Sequence, residues 1–198
     1  MKVLDAIKDR RAVHAFRDEP VSESVLRELI SISTNAPSFM NQQPWAYSVV
    51  HDPKTVSKLG VQVREYLRLE GRRLLPFPVI PARDNLLPAD IFYGAPALVV
   101  ISATTESHEA EMACAMAAYA MMLAAVTMNL GVCWVSDADS WFATSEGHKA
   151  LGIPDSYHPV ATLLVGAPMA APVSPGRFDP EVHWVNSDVV ASKERVEG

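Results

Sequence analysis

Cysteine is scarce in this chain: 198 residues hold two, Cys114 and Cys133. They form neither a CxxC pair nor a metal-binding spacing, so they read as reduced thiols of a cytoplasmic protein. The six histidines are scattered. No HExxH pattern and no Ser-His-Asp order offers a metal or a catalytic triad. Excess positive charge is also missing. Seventeen Lys and Arg against 23 Asp and Glu leave a formal charge of −6, which argues against a nucleic-acid partner. The unbroken apolar run from Met112 to Val126 is shorter than the ~18 residues that suggest a membrane span. Acids precede it (Glu109, Glu111) and no basic flank follows, so a buried helix is expected and no membrane partner. The charged, amphipathic start is not that of a signal peptide. Repeats and low-complexity segments are absent.

What is present is ordinary globular material, 49% hydrophobic and 20% charged, which suits one domain over 1–198. Lys2 to Arg10 places Val3, Leu4 and Ile7 on one helical face. Ser22 caps a second helix whose Val25, Leu26, Leu29 and Ile30 face inward, and Pro37 stops it. Ala46 to Val50 reads as a buried strand. Asp52-Pro53 opens a third helix carrying Val56, Leu59, Val63 and Leu67, with room to run on to Arg73. The proline-rich stretch 76–88 cannot be a regular element and suits a lid or binding loop. There Arg72, Arg73, Phe77 and Arg83 face a ligand or fill surface with equal claim. Ala97 to Ser102 is a second buried strand. The Glu109–Met128 helix is apolar nearly all round and needs cover on every side, which a subunit interface would help to give. Asn129 suits its left-handed end. Val132 to Ser136 and Val160 to Val165 are two further strands, with a short helix Glu146 to Leu151 closed by Gly152 between them. The tail 170–198 has no strong period and reads as extended, free to wrap over a neighbouring subunit. Helices alternating with short strands point to a mixed α/β or α+β fold.

Two stretches carry chemistry. Ala36-Pro37-Ser38-Phe39-Met40-Asn41-Gln42-Gln43-Pro44-Trp45 sets uncharged donors and acceptors between two prolines. That suits a flat heterocycle with alternating N–H and C=O edges, with Phe39 and Met40 against its face, although a polar surface loop would have the same composition. Arg10, Arg11, His14 and Arg17 crowd the end of the first helix. They are either a solvated basic end that complements the helix dipole or an anion site.

In order and spacing, these stretches and two more resemble the nitroreductase family of FMN-dependent oxidoreductases. The others are Leu123-Ala124-Ala125 with Asn129-Leu130-Gly131-Val132-Cys133-Trp134-Val135-Ser136, and Leu151-Gly152-Ile153-Pro154 with Gly166-Ala167-Pro168 and Arg177. The resemblance spans the first helix to about Arg177. It implies an α+β fold with a central mixed or antiparallel sheet flanked by helices, an intertwined homodimer, and FMN at the subunit interface. By position, Arg10 and Arg11 match the leading basic pair, with Arg10 as the phosphate ligand, and Arg177 matches a late arginine on the same phosphate. Pro37, Ser38, Phe39, Asn41 and Gln43 fall in the loop that the partner subunit brings to the flavin. Trp134, Val135 and Ser136 match the strand end whose backbone lies near the reactive edge of the ring. The implied activity is a ping-pong transfer of hydride from NADH or NADPH, through flavin N5, to a nitroaromatic, quinone or similar acceptor. No side chain is assigned a catalytic role and no metal is expected. Departures stand beside the match. Ala12 replaces a Ser or Thr, and His14 a Lys or Arg near the pyrimidine edge. Asn129 replaces a glycine, and Tyr119 and Ala120 a Gln and an Asn. The alternatives are reductive dehalogenation or flavin breakdown on the same scaffold, or a flavin carrier or sensor without nicotinamide oxidation.

Overall fold

The computed structural model describes residues 2–70, 90–171 and 176–184. Its elements run α1 (Val3–Asp9), α2 (Glu23–Ser33), a 3-10 turn (Phe39–Asn41), β1 (Trp45–Val50), α3 (Pro53–Leu69), β2 (Ala97–Ala103), α4 (His108–Thr127), β3 (Gly131–Trp134), α5 (Ser136–Phe142), α6 (Ser145–Leu151) and β4 (His158–Gly166). Helices α2, α3, α4 and α6 start where short polar side chains satisfy otherwise unpaired N–H groups. The Ser22 hydroxyl accepts from Val25 N at 3.4 Å, the Asp52 carboxylate from Thr55 N at 2.9 Å, and the Ser107 hydroxyl from Ala110 N at 3.1 Å. Two left-handed residues mark helix ends: Asn129 (φ 58°) after α4 and Gly152 (φ 66°) after α6.

The strands form one antiparallel sheet in the order β1-β2-β4-β3, flanked by helices as expected. Alternation along β2 sends side chains to both faces. Val99 and Ile101 join Leu26 and Leu29 of α2 and Ala117 and Met121 of α4. Leu98 and Val100 join Val56, Val63 and Leu67 of α3 and Trp141 and Phe142 of α5. Helices cover both faces, so β2 is buried throughout. Among the described residues α4 is the one helix long and apolar enough to cross a membrane. Here its small inner residues, Ala113, Ala117 and Ala118 among them, are fully buried in the protein.

Two expectations need correction. The strand over 46–50 is an edge strand with side chains only half covered, not a buried one. The strand expected over 132–136 ends at Trp134, and Ser136 opens α5. Ala138, Trp141 and Phe142 recur at helical spacing on its buried face. The α1 face of Val3, Leu4 and Ile7 is exposed in this chain. The third helix is described to Leu69, while the 76–88 stretch, with Arg72, Arg73, Phe77 and Arg83, lies outside the described residues.

Candidate active site

After α1 the chain does not wander as a loop. Ala12 makes a parallel bridge to Val132 on the free edge of β3, and Phe16 an antiparallel one to Pro168. Val13 N donates to the Val132 carbonyl (3.2 Å), Arg17 N to Ala167 (2.9 Å), and Met169 N to Ala15 (3.0 Å). The segment comes this close because two paired residues of the sheet, Gly131 and Gly166, have no side chain. A Cβ on Gly131 would stand 2.5 Å from the Val13 side chain, and one on Gly166 2.6 Å from Pro96 and 2.9 Å from Phe16.

This strand-like segment brings part of the expected set together. Arg10, Arg11 and Val13 line a cavity of about 260 Å³ with Met122, Val126 and Asn129. Arg11 Nη1 donates to the carbonyls of Lys8 and, at 2.7 Å, Arg10, so this guanidinium caps the end of α1. Its buried Nε has no hydrogen-bond partner among the described residues. His14 lies edge-on to Tyr93, ring centroids 5.0 Å apart and planes at 89°. Burial lowers the His14 pKa from 6.5. The Tyr93 hydroxyl is pushed up to about 12 by burial first, then by Cys133, Asp137 and Asp90. Burial likewise pushes Cys133 to about 12, so it stays a thiol.

Trp134 ends β3, and Val135 and Ser136 carry the chain from it into α5. Val135 N donates to the Thr162 carbonyl (2.9 Å), and no side chain caps the start of α5 at Ser136. Behind them lies Asp139. Burial pushes its carboxyl up to about 7, against the pull of the Thr162 hydroxyl, which donates to it at 2.5 Å, and of the Trp134 indole.

The amide-rich loop lies at the other edge. It leads into β1, three strand spacings from β3, or roughly 14 Å at ~4.8 Å each. The loop is tense: Met40 (φ 48°), Asn41 (φ 56°) and Gln43 (φ 49°) are all left-handed, at a cost of order 1 kcal/mol or more each. The Ser38 hydroxyl accepts from Gln43 N (3.0 Å), and Gln43 Nε2 donates to Asn41 Oδ1 (3.3 Å). Pro37 is exposed, and Phe39 and Met40 are 61% and 80% exposed. Within one chain this loop does not join Arg10 and His14. Arg177 also stands apart, exposed, with its Nη1 on the Gly176 carbonyl (3.4 Å).

The sequence reading passed over Tyr93, Asp139 and Thr162. Tyr93-Gly94, both at positive φ, form a bend just before Ala95-Pro96 and β2. An aromatic residue followed by glycine and Ala-Pro was its only local sign. Asp139 was legible only once α5 had been recognised, as a carboxylate on the inner side of an amphipathic turn.

The comparisons bear on this arrangement. A relative from Rhodospirillum rubrum, 5,6-dimethylbenzimidazole synthase, is 31% identical over 83% of this chain and 82% of its own length. The NADH dehydrogenase of Thermus thermophilus is 43% identical over 58 residues, 28% of each chain. Among solved structures, a Bacteroides fragilis nitroreductase with bound FMN superposes with a TM-score of 0.76 at 22% identity, covering 94% of this chain and all of that one. The model of the nitroreductase family matches residues 7–167, and this chain belongs to that family.

Proposed function

We propose that the chain is an FMN-dependent oxidoreductase, oxidising NADH or NADPH and reducing a nitroaromatic, quinone or similar acceptor. The carrying observation is the course of residues 10–17 along β3. It brings the basic pair, His14 and residues 134–136 to the β3 edge of the sheet. The donor set fits FMN. A phosphate dianion suits Arg10 and the buried, unpartnered Arg11 Nε. Ring carbonyls and N–H groups suit the main chain of Trp134–Ser136 and the imidazole of His14. When bound, FMN supplies a two-electron centre that takes hydride from the nicotinamide and gives it to the acceptor.

The residues have separable tasks. Arg10 neutralises the phosphate. Gly131 leaves room for the 12–13 segment, so the basic pair and His14 hold a fixed register against β3. Below its lowered pKa, His14 presents a proton and a positive charge to the pyrimidine edge; above it, a neutral imidazole. Ser38, Asn41 and Gln43 face a flavin only if a second copy contributes its loop. A second copy also answers the exposed apolar residues of α1 and α4, where Val3, Leu4, Met112, Met116 and Tyr119 are 40–68% exposed. The reading is therefore a homodimer with two shared sites.

Purified protein should be yellow and carry one FMN per chain. Under nitrogen, NADH or NADPH should bleach it, and a nitroaromatic or quinone should restore the colour. A protein that takes up no FMN overturns the reading, and one that binds FMN but is never bleached is a carrier. The similarity to 5,6-dimethylbenzimidazole synthase over 83% of this chain favours a second reading, flavin breakdown. Loss of the isoalloxazine ring during aerobic incubation of reduced FMN with the protein would establish that instead.

A further inference from the structure

Asp139 is a half-buried carboxyl with no compensating cation among the described residues, an arrangement that costs free energy when the group ionises. It sits on the inner side of α5, and the groups facing it can be named. From β4 comes the Thr162 hydroxyl, and from β3 the Trp134 indole. Its own helix adds Asp137, whose charge opposes ionisation. The facing side of α3 is apolar, through Val56, Leu59, Val63 and Leu67. In α6 the buried His148 turns its Nδ1 to Asp155, 3.6 Å away.

Two features make this more than packing. Thr162 holds Asp139 with its hydroxyl (2.5 Å) and Val135 with its carbonyl (2.9 Å), so one residue joins the carboxyl to the main chain of the strand end. The Trp134 Nε1–H is buried without a well-formed hydrogen bond, yet it is close enough to Asp139 to stabilise the carboxylate. A carboxylate accepts from both O–H and N–H, whereas a carboxylic acid has less to offer either.

We propose that Asp139 is a proton-controlled positioning residue: its carboxylate draws in the Trp134 indole and the Thr162 hydroxyl and so fixes the Trp134–Ser136 strand end, and protonation releases it. The consequence for the cofactor rests on the reading above, in which this strand end meets the flavin. Ionised Asp139 then gives the tighter FMN site. Burial sets the switch near neutral pH, at about 7, where modest acidification changes its state.

The test uses the full-length chain, labelled with 13C at aspartate carboxyls and 15N at tryptophan indoles, followed from pH 5 to 9. One carboxyl, absent in Asp139→Asn, should titrate near neutrality. The Trp134 indole resonance, identified by its loss in Trp134→Phe, should move with the same midpoint and stay still in Asp139→Asn. Thr162→Val removes a donor that favours the carboxylate, so both midpoints should rise together; this arm decides the matter even if Asp139→Asn does not fold. An indole signal that ignores the carboxyl titration, or midpoints unmoved by Thr162→Val, overturns the proposal. FMN affinity of the parent should fall about threefold to tenfold between pH 8.5 and 5.5, the worth of one hydrogen bond, beyond any change in Asp139→Asn. Asp139→Glu should restore part of that dependence. If the resonances move together but affinity does not follow, the latch stands and the flavin assignment of the strand end is what fails.

Discussion

At position 14 the imidazole packs against Tyr93, and burial makes its protonated form harder to reach than in water. The sign follows directly. With its pKa below 6.5, His14 is neutral at pH 7 and above, and charged only in acid. Reduced flavin carries negative charge near N1, so a cation at position 14 raises the midpoint potential. In the parent that help should exist only at low pH. His14→Lys should supply it at every pH, because an ammonium on an accessible side chain stays protonated. The midpoint potentials of the two proteins should therefore be close in acid and separate as pH rises through the histidine pKa, the variant lying higher. Curves that run parallel from pH 5 to 8 would remove His14 from the flavin edge. In the two cysteines burial shifts the pKa the other way, again against the charged form. Burial pushes both Cys114 and Cys133 to about 12, so neither offers a thiolate at physiological pH.

Among the elements, the 10–17 segment does most to make a site, and it depends on glycine at a place where strands usually avoid it. The Val13 Cγ2 occupies the space where a Gly131 Cβ would stand, at 2.5 Å. Gly131→Ala must push Val13 outward and open the Ala12–Val132 bridge. We expect a stability loss of about 1–3 kcal/mol, the usual cost of overpacking, with weaker FMN binding that Val13→Ala in the same chain partly recovers. Urea unfolding and FMN titration of the single and double variants test this. No recovery in the double variant would show that the glycine serves something other than this close approach. That segment also shows what the chain's pattern could and could not reveal. Helices with caps at Ser22 and Asp52 and the buried run 97–102 were legible, because capping and periodicity are local. The edge position of β1 was not, because an apolar strand looks the same until its neighbours are known. Nor was the bridge from Ala12 to Val132, which joins residues 120 apart. The resemblance supplied Arg10, His14 and Trp134 as a group, but only the fold shows a strand-like segment as their common support. It also shows the Arg11 Nη1 donating to carbonyls of its own helix end while its buried Nε has no partner among the described residues.

For the whole molecule, the question is how the proposed site would gather residues from opposite edges of a sheet. Arg10 and His14 lie by β3, while Ser38 and Asn41 precede β1, at the far edge. No side chain spans that width, and β2 and β4 fill it. A second copy removes the difficulty if its loop approaches the first copy's β3 edge, and twofold symmetry then yields two equivalent sites. The exposed apolar residues of α1 and α4 supply a surface for the contact. Mixed dimers provide the test. One variant carries Arg10→Ala and His14→Ala, and the other Ser38→Ala and Asn41→Ala; each alone should bind FMN weakly at both sites. In a mixed dimer one site collects all four changes, and the other is built from the unaltered basic segment of one chain and the unaltered loop of its partner. Co-refolding differently tagged chains and isolating the doubly tagged species should restore tight FMN binding at half of the sites, with nicotinamide oxidation returning in proportion. Doubly tagged dimers that stay colourless would mean that each site is built within one chain. The Ser38–Gln43 loop would then have to be explained by its own strain and hydrogen bonds alone.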